Sequence, residues 1–130
     1  MREPLWLSVE AVLAVHQMIL AEHGGADGIR DRGLLESALD RPRNRYAYEA
    51  SDIVSLAASH AFGLAKNHPF IDGNKRIAFM AAAIFLETNG YLLTASEAEA
   101  TIAVLSLASS AWDEAEFEAW LRNNSKAASP

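Results

Sequence analysis

Hydrophobic residues recur along the chain with the spacing of helices rather than of strands. The first such segment is 9–23, in which apolar side chains follow one another at intervals of three and four positions. Ser8 is placed to cap its start, and Gly24 is placed to end it. These features predict a first helix over 9–23.

A polar loop, 68–73, separates the two most apolar segments of the chain. The segment before it begins after a candidate N-cap, Ser51. It should end at or just before His68, because a residue that precedes proline is disfavoured in the helical region. The segment after the loop, 73–89, is apolar nearly all round, which predicts a helix buried at the centre of the domain.

Two segments near the C-terminus, 94–108 and 113–123, open with the capping-box pattern, in which Thr or Asp is followed three positions later by Glu. The two pairs are Thr94 with Glu97 and Asp113 with Glu116. Each pattern predicts the start of a helix.

The segment 34–39 predicts a short helix that ends before Pro42. The residues that follow, 41–49 (RPRNRYAYE), have no clear period and indicate an irregular or extended segment. Its three arginines lie either along a groove or in water.

Together these elements predict an all-α fold, a compact bundle of five to six helices with a central buried helix after the polar loop. We expect a single domain over 1–123 and a disordered tail over 124–130.

Composition narrows the functional classes. The chain has 130 residues, 51% of them hydrophobic, which suits one domain with a real core. A net charge of −6 argues against a protein that holds nucleic acid through its overall field. The absence of cysteine excludes disulfides and thiolate metal sites. No apolar segment reaches the roughly 20 residues of a membrane span, so we expect a cytoplasmic protein that binds neither membrane nor nucleic acid directly.

Charge is distributed unevenly around the polar loop. Residues 1–86 carry ten acidic and nine basic side chains, whereas residues 87–130 carry seven acidic and two basic ones. Lys75 and Arg76 fall in the first turn of the apolar helix, where the helix dipole already presents positive charge. A bound phosphate group would compensate these charges and accept hydrogen bonds from the turn. Gly73 would let a ligand approach the backbone, and Asn74 would add an amide donor.

Two more residues of the loop, Asp72 and His68, suit a phosphate-bearing ligand. Asp72 can supply the lone carboxylate by which proteins commonly hold the Mg²⁺ of a nucleotide. Histidine titrates near neutral pH, so His68, held off the helix by proline, can accept a proton from a hydroxyl. Phe70 and Ile71 are interpreted as anchors that tie the loop to the core. The spacing of a P-loop is absent.

Taken singly, each of these residues is more often a surface feature than a ligand. The combination at the N-terminus of a buried helix favours an anion site. The remaining histidines, His16, His23 and His60, lie at no metal-ligand spacing with His68. We expect His60 to be a packed or pocket-lining residue.

The stretch HPFIDGNKR resembles the signature of the Fic/Doc superfamily, in particular that of the Doc (death-on-curing) toxins of toxin–antitoxin pairs. The stretches GIRDRGLLESALDRP and FEAWLR are similar to that family as well. The resemblance implies an α-helical fold that binds a nucleotide and modifies a hydroxyl of a target protein. It implies His68 as the base, Asp72 as the Mg²⁺-associated acid, and a phosphate-binding turn formed by Gly73, Asn74, Lys75 and Arg76.

Lys75 bears on which part of ATP is transferred. Fic adenylyltransferases carry glycine at this position, whereas Doc-like sequences carry lysine, which the resemblance associates with transfer of the γ-phosphate. The second arginine of the Fic motif is also missing, since Phe79 and Met80 stand there. The hypothesis is an ATP- and Mg²⁺-dependent protein kinase toxin that acts on a Ser/Thr of a translation factor, elongation factor Tu by family resemblance, and inhibits translation. The alternatives are AMP transfer to a protein hydroxyl and a catalytically idle module that binds nucleotide or a partner.

The resemblance also bears on regulation and target binding. The inhibitory pattern Ser/Thr-x-x-x-Glu-Gly/Asn of self-restrained Fic proteins is missing from the sequence. Restraint would then come from a Phd-like antitoxin supplied in trans. The segment 41–49 matches the position of a flap that, in relatives, holds the target peptide as an added strand.

Overall fold

The computed structural model describes residues 3–128, and within that range it has six helices and one two-stranded antiparallel sheet. The elements are α1 Val9–His23, α2 Arg32–Glu49, α3 Ile53–Asn67, α4 Asn74–Thr88, β1 Tyr91–Leu93, α5 Glu97–Ala108, α6 Glu114–Asn123 and β2 Ser125–Ala127. The predicted compact all-α bundle is confirmed.

The centre of the bundle is α3, which packs against α2, α4, α5 and α6. Its small residues let neighbouring helices approach closely. A Cβ added at Gly63 would lie 3.2 Å from the backbone of Ala38 in α2. In α4 the fully buried residues lie along one face, at the spacing of an amphipathic helix. Both helices that flank the polar loop are thus buried in the bundle, and α3 before the loop is the more completely buried of the two.

Helix α2 differs most from the prediction, because it continues through Pro42 to Glu49. The helix predicted over 34–39 is present, but its predicted end before Pro42 and the irregular or extended segment over 41–49 are wrong. The buried positions Leu35, Ala38, Leu39 and Pro42 follow the spacing of one helical face. Proline removes one backbone hydrogen bond and costs a helix interior about 3 kcal/mol. Pro42 itself is buried on this face, which recovers part of that cost.

The capping predictions hold at α1 and α6 and shift at two other helices. Ser8 caps α1, and Asp113 forms the predicted capping box with Glu116. Helix α3 is capped by Asp52 instead of Ser51, and α5 by Ser96 with Glu99 instead of the pair two positions earlier. Both shifts occur where adjacent residues offer similar capping oxygens, so sequence spacing alone does not choose between them.

The C-terminal segment is ordered where the structure describes it. Strand β2 pairs with β1 in the register Tyr91 to Ala127, Leu92 to Lys126 and Leu93 to Ser125. The expectation of a disordered tail is therefore wrong for 125–127, while residues 129 and 130 lie outside the described range. No helix between residues 3 and 128 is long and apolar enough to cross a membrane.

Candidate functional site

His68 stands where α3 ends, as predicted from the following proline. Its backbone N–H still donates to the carbonyl of Leu64 at 3.3 Å, but φ of 48° and ψ of 56° place it in the left-handed region. The side chain of Arg30 holds this turn, because Nε donates to the His68 carbonyl at 2.6 Å and Nη2 to the Asn67 carbonyl at 2.7 Å. The imidazole itself is exposed. The structure thus presents a fixed backbone with an accessible ring.

Asn74 closes the polar loop on itself. Its Oδ1 accepts from the Phe70 N–H at 3.0 Å, and its Nδ2 donates to the Phe70 carbonyl at 2.9 Å. Nδ2 also lies 3.5 Å from Nδ1 of His68, at the weak limit of hydrogen bonding. Since the residue is only 7% exposed and its amide bonds with Phe70, Asn74 shapes the loop, and its part in binding a ligand stays a prediction.

The two predicted hydrophobic anchors differ. Phe70 is buried and stacks on the ring of His16 from α1, with centroids 3.7 Å apart. Ile71 is 56% exposed, so its prediction as a core anchor is wrong. Its backbone is nevertheless held, because its N–H donates to the Gly28 carbonyl at 3.1 Å.

A glycine-rich loop over 24–31 forms the second support of the motif. Ile29 makes an isolated antiparallel bridge with Phe70, and the N–H groups of Arg30 and Asp31 both donate to the Pro69 carbonyl. Sequence reasoning assigned this loop no part in the site. The run GGADGIRDRG marks a loop but carries no signal for what it touches.

Asp72 is exposed, and both oxygens of its carboxylate already accept one hydrogen bond. Oδ1 accepts from the Gly73 N–H at 3.0 Å, and Oδ2 from the Ala26 N–H at 3.2 Å. A carboxylate has about four acceptor sites, so each oxygen retains the capacity for a metal ion. The space around it is limited, since a Cβ added at Gly25 would lie 3.0 Å from Oδ2.

The start of α4 lacks a side-chain cap. Gly73 occupies the N-cap position with φ of 79°, and no side chain accepts from the first turn. Lys75 and Arg76 are exposed, and neither forms an ion pair with any side chain of residues 3–128. The predicted concentration of uncompensated positive charge at this helix end is therefore present.

A cleft of about 520 Å³ opens beside this helix end. Its lining joins His68 and Lys75 from the motif with one face of α5 and the residue that caps its end, namely Ile102, Leu105, Ser106, Ala108 and Ser109. Asp72, Gly73 and Arg76 do not contribute to the lining. Sequence reasoning missed α5, whose only signal is a pair of exposed apolar residues, Ile102 and Leu105, on a surface helix.

The residues present fit a metal that arrives with its ligand. Within residues 3–128, no group of three or more His, Asp or Glu side chains is arranged to hold a metal ion. Mg²⁺ in nucleotide sites is usually bound by one or two carboxylates together with substrate phosphates. The accessible carboxylate of Asp72, next to the uncapped start of α4, matches that donor set.

Arg41 and Arg45 of the segment 41–49 line a cleft of about 450 Å³ in which acidic side chains of α6 pair with them, whereas Arg43 is exposed. Arg41 donates through both terminal nitrogens to Glu114 of α6 at 2.6 Å, and Arg45 contacts Glu114 and Glu118. Because this segment is helical, its backbone hydrogen-bonding groups are used within α2. The prediction that 41–49 is a flap for an added peptide strand is therefore wrong.

Two other histidines, His16 and His60, are buried among other side chains. Burial lowers the pKa of His60 to about 4, although its Nδ1 donates to the Leu56 carbonyl. It packs against Trp6 and Phe85, which confirms the expectation of a packed residue. His16 is equally buried and contacts the motif itself.

Residues 6–86 match the family model described as Fic/DOC family, and this range contains the whole polar loop and its supporting elements. The chain belongs to the Fic/DOC family. Among characterised members it is similar to the protein named Protein kinase doc of Escherichia phage P1, with 35% identity over 85 residues that cover 65% of this chain and 68% of that protein. It is also similar to Toxin Doc of Mycolicibacterium smegmatis, with 43% identity over 74 residues, 55% of this chain and 57% of that toxin. The likeness to Doc proteins supports a transferase of the toxin branch of this family.

Proposed function

We propose that this Fic/DOC protein is a Doc-type kinase, which transfers the γ-phosphate of ATP to a Ser or Thr hydroxyl of a target protein. The observation that carries the proposal is the meeting of His68 and Lys75 in one cleft at the uncapped start of α4. A proton acceptor and a cation thus face the same space, beside backbone N–H groups that can bind phosphate oxygens.

Each residue has a distinct task in the proposed reaction. His68 accepts the proton of the attacking hydroxyl. Lys75, Arg76 and the first N–H groups of α4 hold the phosphate oxygens and balance their charge. In the transfer, an oxygen–phosphorus bond to the target forms while the bond between the γ-phosphorus and the departing ADP breaks. Mg²⁺, held in part by Asp72, would add neutralising charge on the phosphates.

The lining of the cleft suits a ligand that has an apolar part. Ile102 and Leu105 are 63% and 46% exposed, and both face the cleft from α5. An apolar wall opposite a cationic end suits a molecule that carries a flat base or an apolar side chain next to phosphate. This arrangement supports nucleotide binding within the cleft without distinguishing which phosphate is transferred.

Lys75 supports γ-phosphate transfer over AMP transfer. Its side chain occupies and charges the space that glycine leaves open in Fic adenylyltransferases. The name Protein kinase doc, given to the phage relative, points the same way. AMP transfer to a protein hydroxyl is the second candidate, because the shared family motif serves both reactions. A catalytically idle binding module is the third, and the accessible ring of His68 argues against it.

The proposed setting follows the Doc relatives. One of them is named a toxin, which supports a toxin–antitoxin pair in which a Phd-like antitoxin restrains this chain in trans. The proposed target is a translation factor, elongation factor Tu, in the cytoplasm, so that modification inhibits translation.

Labelled ATP tests the reaction. The purified protein is incubated with a bacterial extract and ATP labelled at either the α- or the γ-phosphate. We expect label in protein from the γ position only, and we expect it to disappear in His68→Ala but not in His23→Ala, a control at the exposed end of α1. Label from the α position would establish AMP transfer instead. No His68-dependent label from either position would favour the binding module.

A further inference from the structure

His16 is a buried side chain that contacts the motif from a distant part of the sequence. It lies on α1, is 1% exposed and stacks on Phe70 with an interplanar angle of 11°. Its Nε2 lies 2.8 Å from the backbone carbonyl oxygen of Asp72. The proposed reaction assigns no direct role to this histidine, although its ring touches the polar loop.

The direction of this hydrogen bond is fixed by chemistry. A carbonyl oxygen can only accept, so Nε2 of His16 carries the hydrogen and donates it. The ring cannot turn to another partner without losing its stack on Phe70. His16 therefore holds the plane of the peptide that joins Asp72 to Gly73.

The orientation of that peptide helps to fix where the carboxylate of Asp72 lies, together with the Ala26 N–H that donates to Oδ2. With the carbonyl held by His16, the N–H of the same peptide donates to Oδ1 of Asp72 at 3.0 Å. Gly73 has φ of 79°, and glycine tolerates backbone conformations of either sign, so glycine itself does little to prevent a flip of this peptide. A flipped peptide would remove its N–H from the carboxylate. A Cβ at Gly73 would also lie 3.4 Å from Nε2, which shows how closely the ring is seated against this turn.

We propose that His16 is a positioning residue, which acts through the Asp72–Gly73 peptide to hold the Asp72 carboxylate toward a divalent cation. The proposal rests on the proposed function for the identity of that cation, Mg²⁺ bound with ATP. Groups that hold a metal ligand in place typically contribute 10- to 100-fold to metal affinity when they are removed by mutation.

Two substitutions of similar length separate the hydrogen bond from the packing. His16→Met removes the donor, whereas His16→Gln retains an amide donor with a similar reach, and both remove the stack on Phe70. His60→Met is the control, because His60 is equally buried but contacts Trp6 and Phe85 instead of the motif. Should His16→Met not fold, His16→Asn, whose amide is too short to reach Asp72, replaces it in every comparison.

The first measurement is the dissociation constant of ATP by calorimetry, in excess Mg²⁺ and in EDTA. We expect Mg²⁺ to tighten ATP binding in the native protein, in His16→Gln and in His60→Met. In His16→Met the factor by which Mg²⁺ tightens ATP binding should be smaller by about 10-fold or more. The dissociation constant of ATP in EDTA should stay within about 2-fold of the native value. A merely structural role would weaken binding in both media. An equal loss in both, or no loss, would overturn the proposal.

The second measurement is the crystal structure of the protein with His16→Met, which does not depend on nucleotide binding. We expect the Asp72 carbonyl to turn and the contact between Oδ1 and the Gly73 N–H to open. Failure of the native protein to bind ATP in either medium would refute the proposed function instead. In that case the crystal structure of the variant alone tests the role of His16. An unchanged orientation of the Asp72–Gly73 peptide would overturn that role.

Discussion

Lys75 is the side chain on which the proposed phosphate site most depends. It lies in the first turn of α4 and lines the cleft with His68. A lysine at a helix N-terminus is disfavoured by the dipole by about 0.3–1 kcal/mol. No carboxylate of residues 3–128 pairs with it to offset this penalty. A bound ligand anion would take the place of that carboxylate and offset this penalty.

Lys75→Met should therefore weaken ATP binding while leaving the fold intact. Hydrogen bonds to charged groups contribute about 1.5–3 kcal/mol, so the dissociation constant should rise about 10- to 100-fold. Lys126→Met, on the exposed strand β2, is the matched control and should leave the constant unchanged. Calorimetric titration measures both. Equal binding by the two variants would remove the phosphate role from Lys75.

The sequence predicted the placement of His68 but not the part played by Asn74. The proline rule applies to any helix that meets a proline, so the end of α3 followed from local chemistry alone. Asn74 instead bonds with both backbone groups of Phe70 across the loop. An asparagine that faces a ligand and one that braces a loop look identical in sequence. The difference arises only when the loop closes.

At the scale of elements, α2 shows how tertiary contacts override local rules. Pro42 marks a helix end by propensity and is the last buried residue on the inner face of α2, yet the helix continues to Glu49 with Arg45 and Tyr46 half-buried. The same continuation brings Arg41 and Arg45 opposite α6, where Glu114 accepts from both. A sequence pattern contains the spacing of that face but not the partner that makes the longer helix favourable.

Glu114→Gln should destabilise the joint between α2 and α6. The Glu114 side chain is 21% exposed, and its loss of charge leaves two partly buried guanidinium groups with weakened partners. We expect the free energy of unfolding to fall by about 1–3 kcal/mol. Glu36→Gln is the control, since its pair with Arg32 is 3.6 Å long and more than half exposed. It should cost less than about 0.5 kcal/mol in the same urea titration. Similar losses in both variants would show that the joint depends on something other than this ion pair.

At the scale of the whole molecule, the site is assembled from segments far apart in the chain. Helix α1 contributes His16, the loop over 24–31 supports the carboxylate of Asp72, and α5 supplies the opposite wall of the cleft. The motif was recognisable in sequence because its nine residues are contiguous. The supports were not, because each is an ordinary residue whose role depends on long-range packing.

The stability of the whole fold should depend on pH through His60. Burial lowers its pKa from 6.5 to about 4, so between these values the unfolded chain binds a proton that the folded chain does not. Stability contributed by this group is therefore complete above pH 6.5 and is lost as the pH falls toward 4. The shift corresponds to a loss on the order of 3 kcal/mol. Asp52, whose pKa its hydrogen bond with Arg122 lowers to about 2, adds a loss only below its ordinary value of 3.8.

Urea titrations of the native protein and of His60→Met between pH 7.5 and pH 4 measure this dependence. His60→Met lowers stability at neutral pH through imperfect packing against Trp6 and Phe85, but it removes the titrating group. The free energy of unfolding should therefore fall less steeply in the variant than in the native protein from about pH 6.5 to about pH 4. Parallel slopes would show that groups other than His60 cause the acid sensitivity. They would mean that His60 binds its proton without destabilising the folded chain.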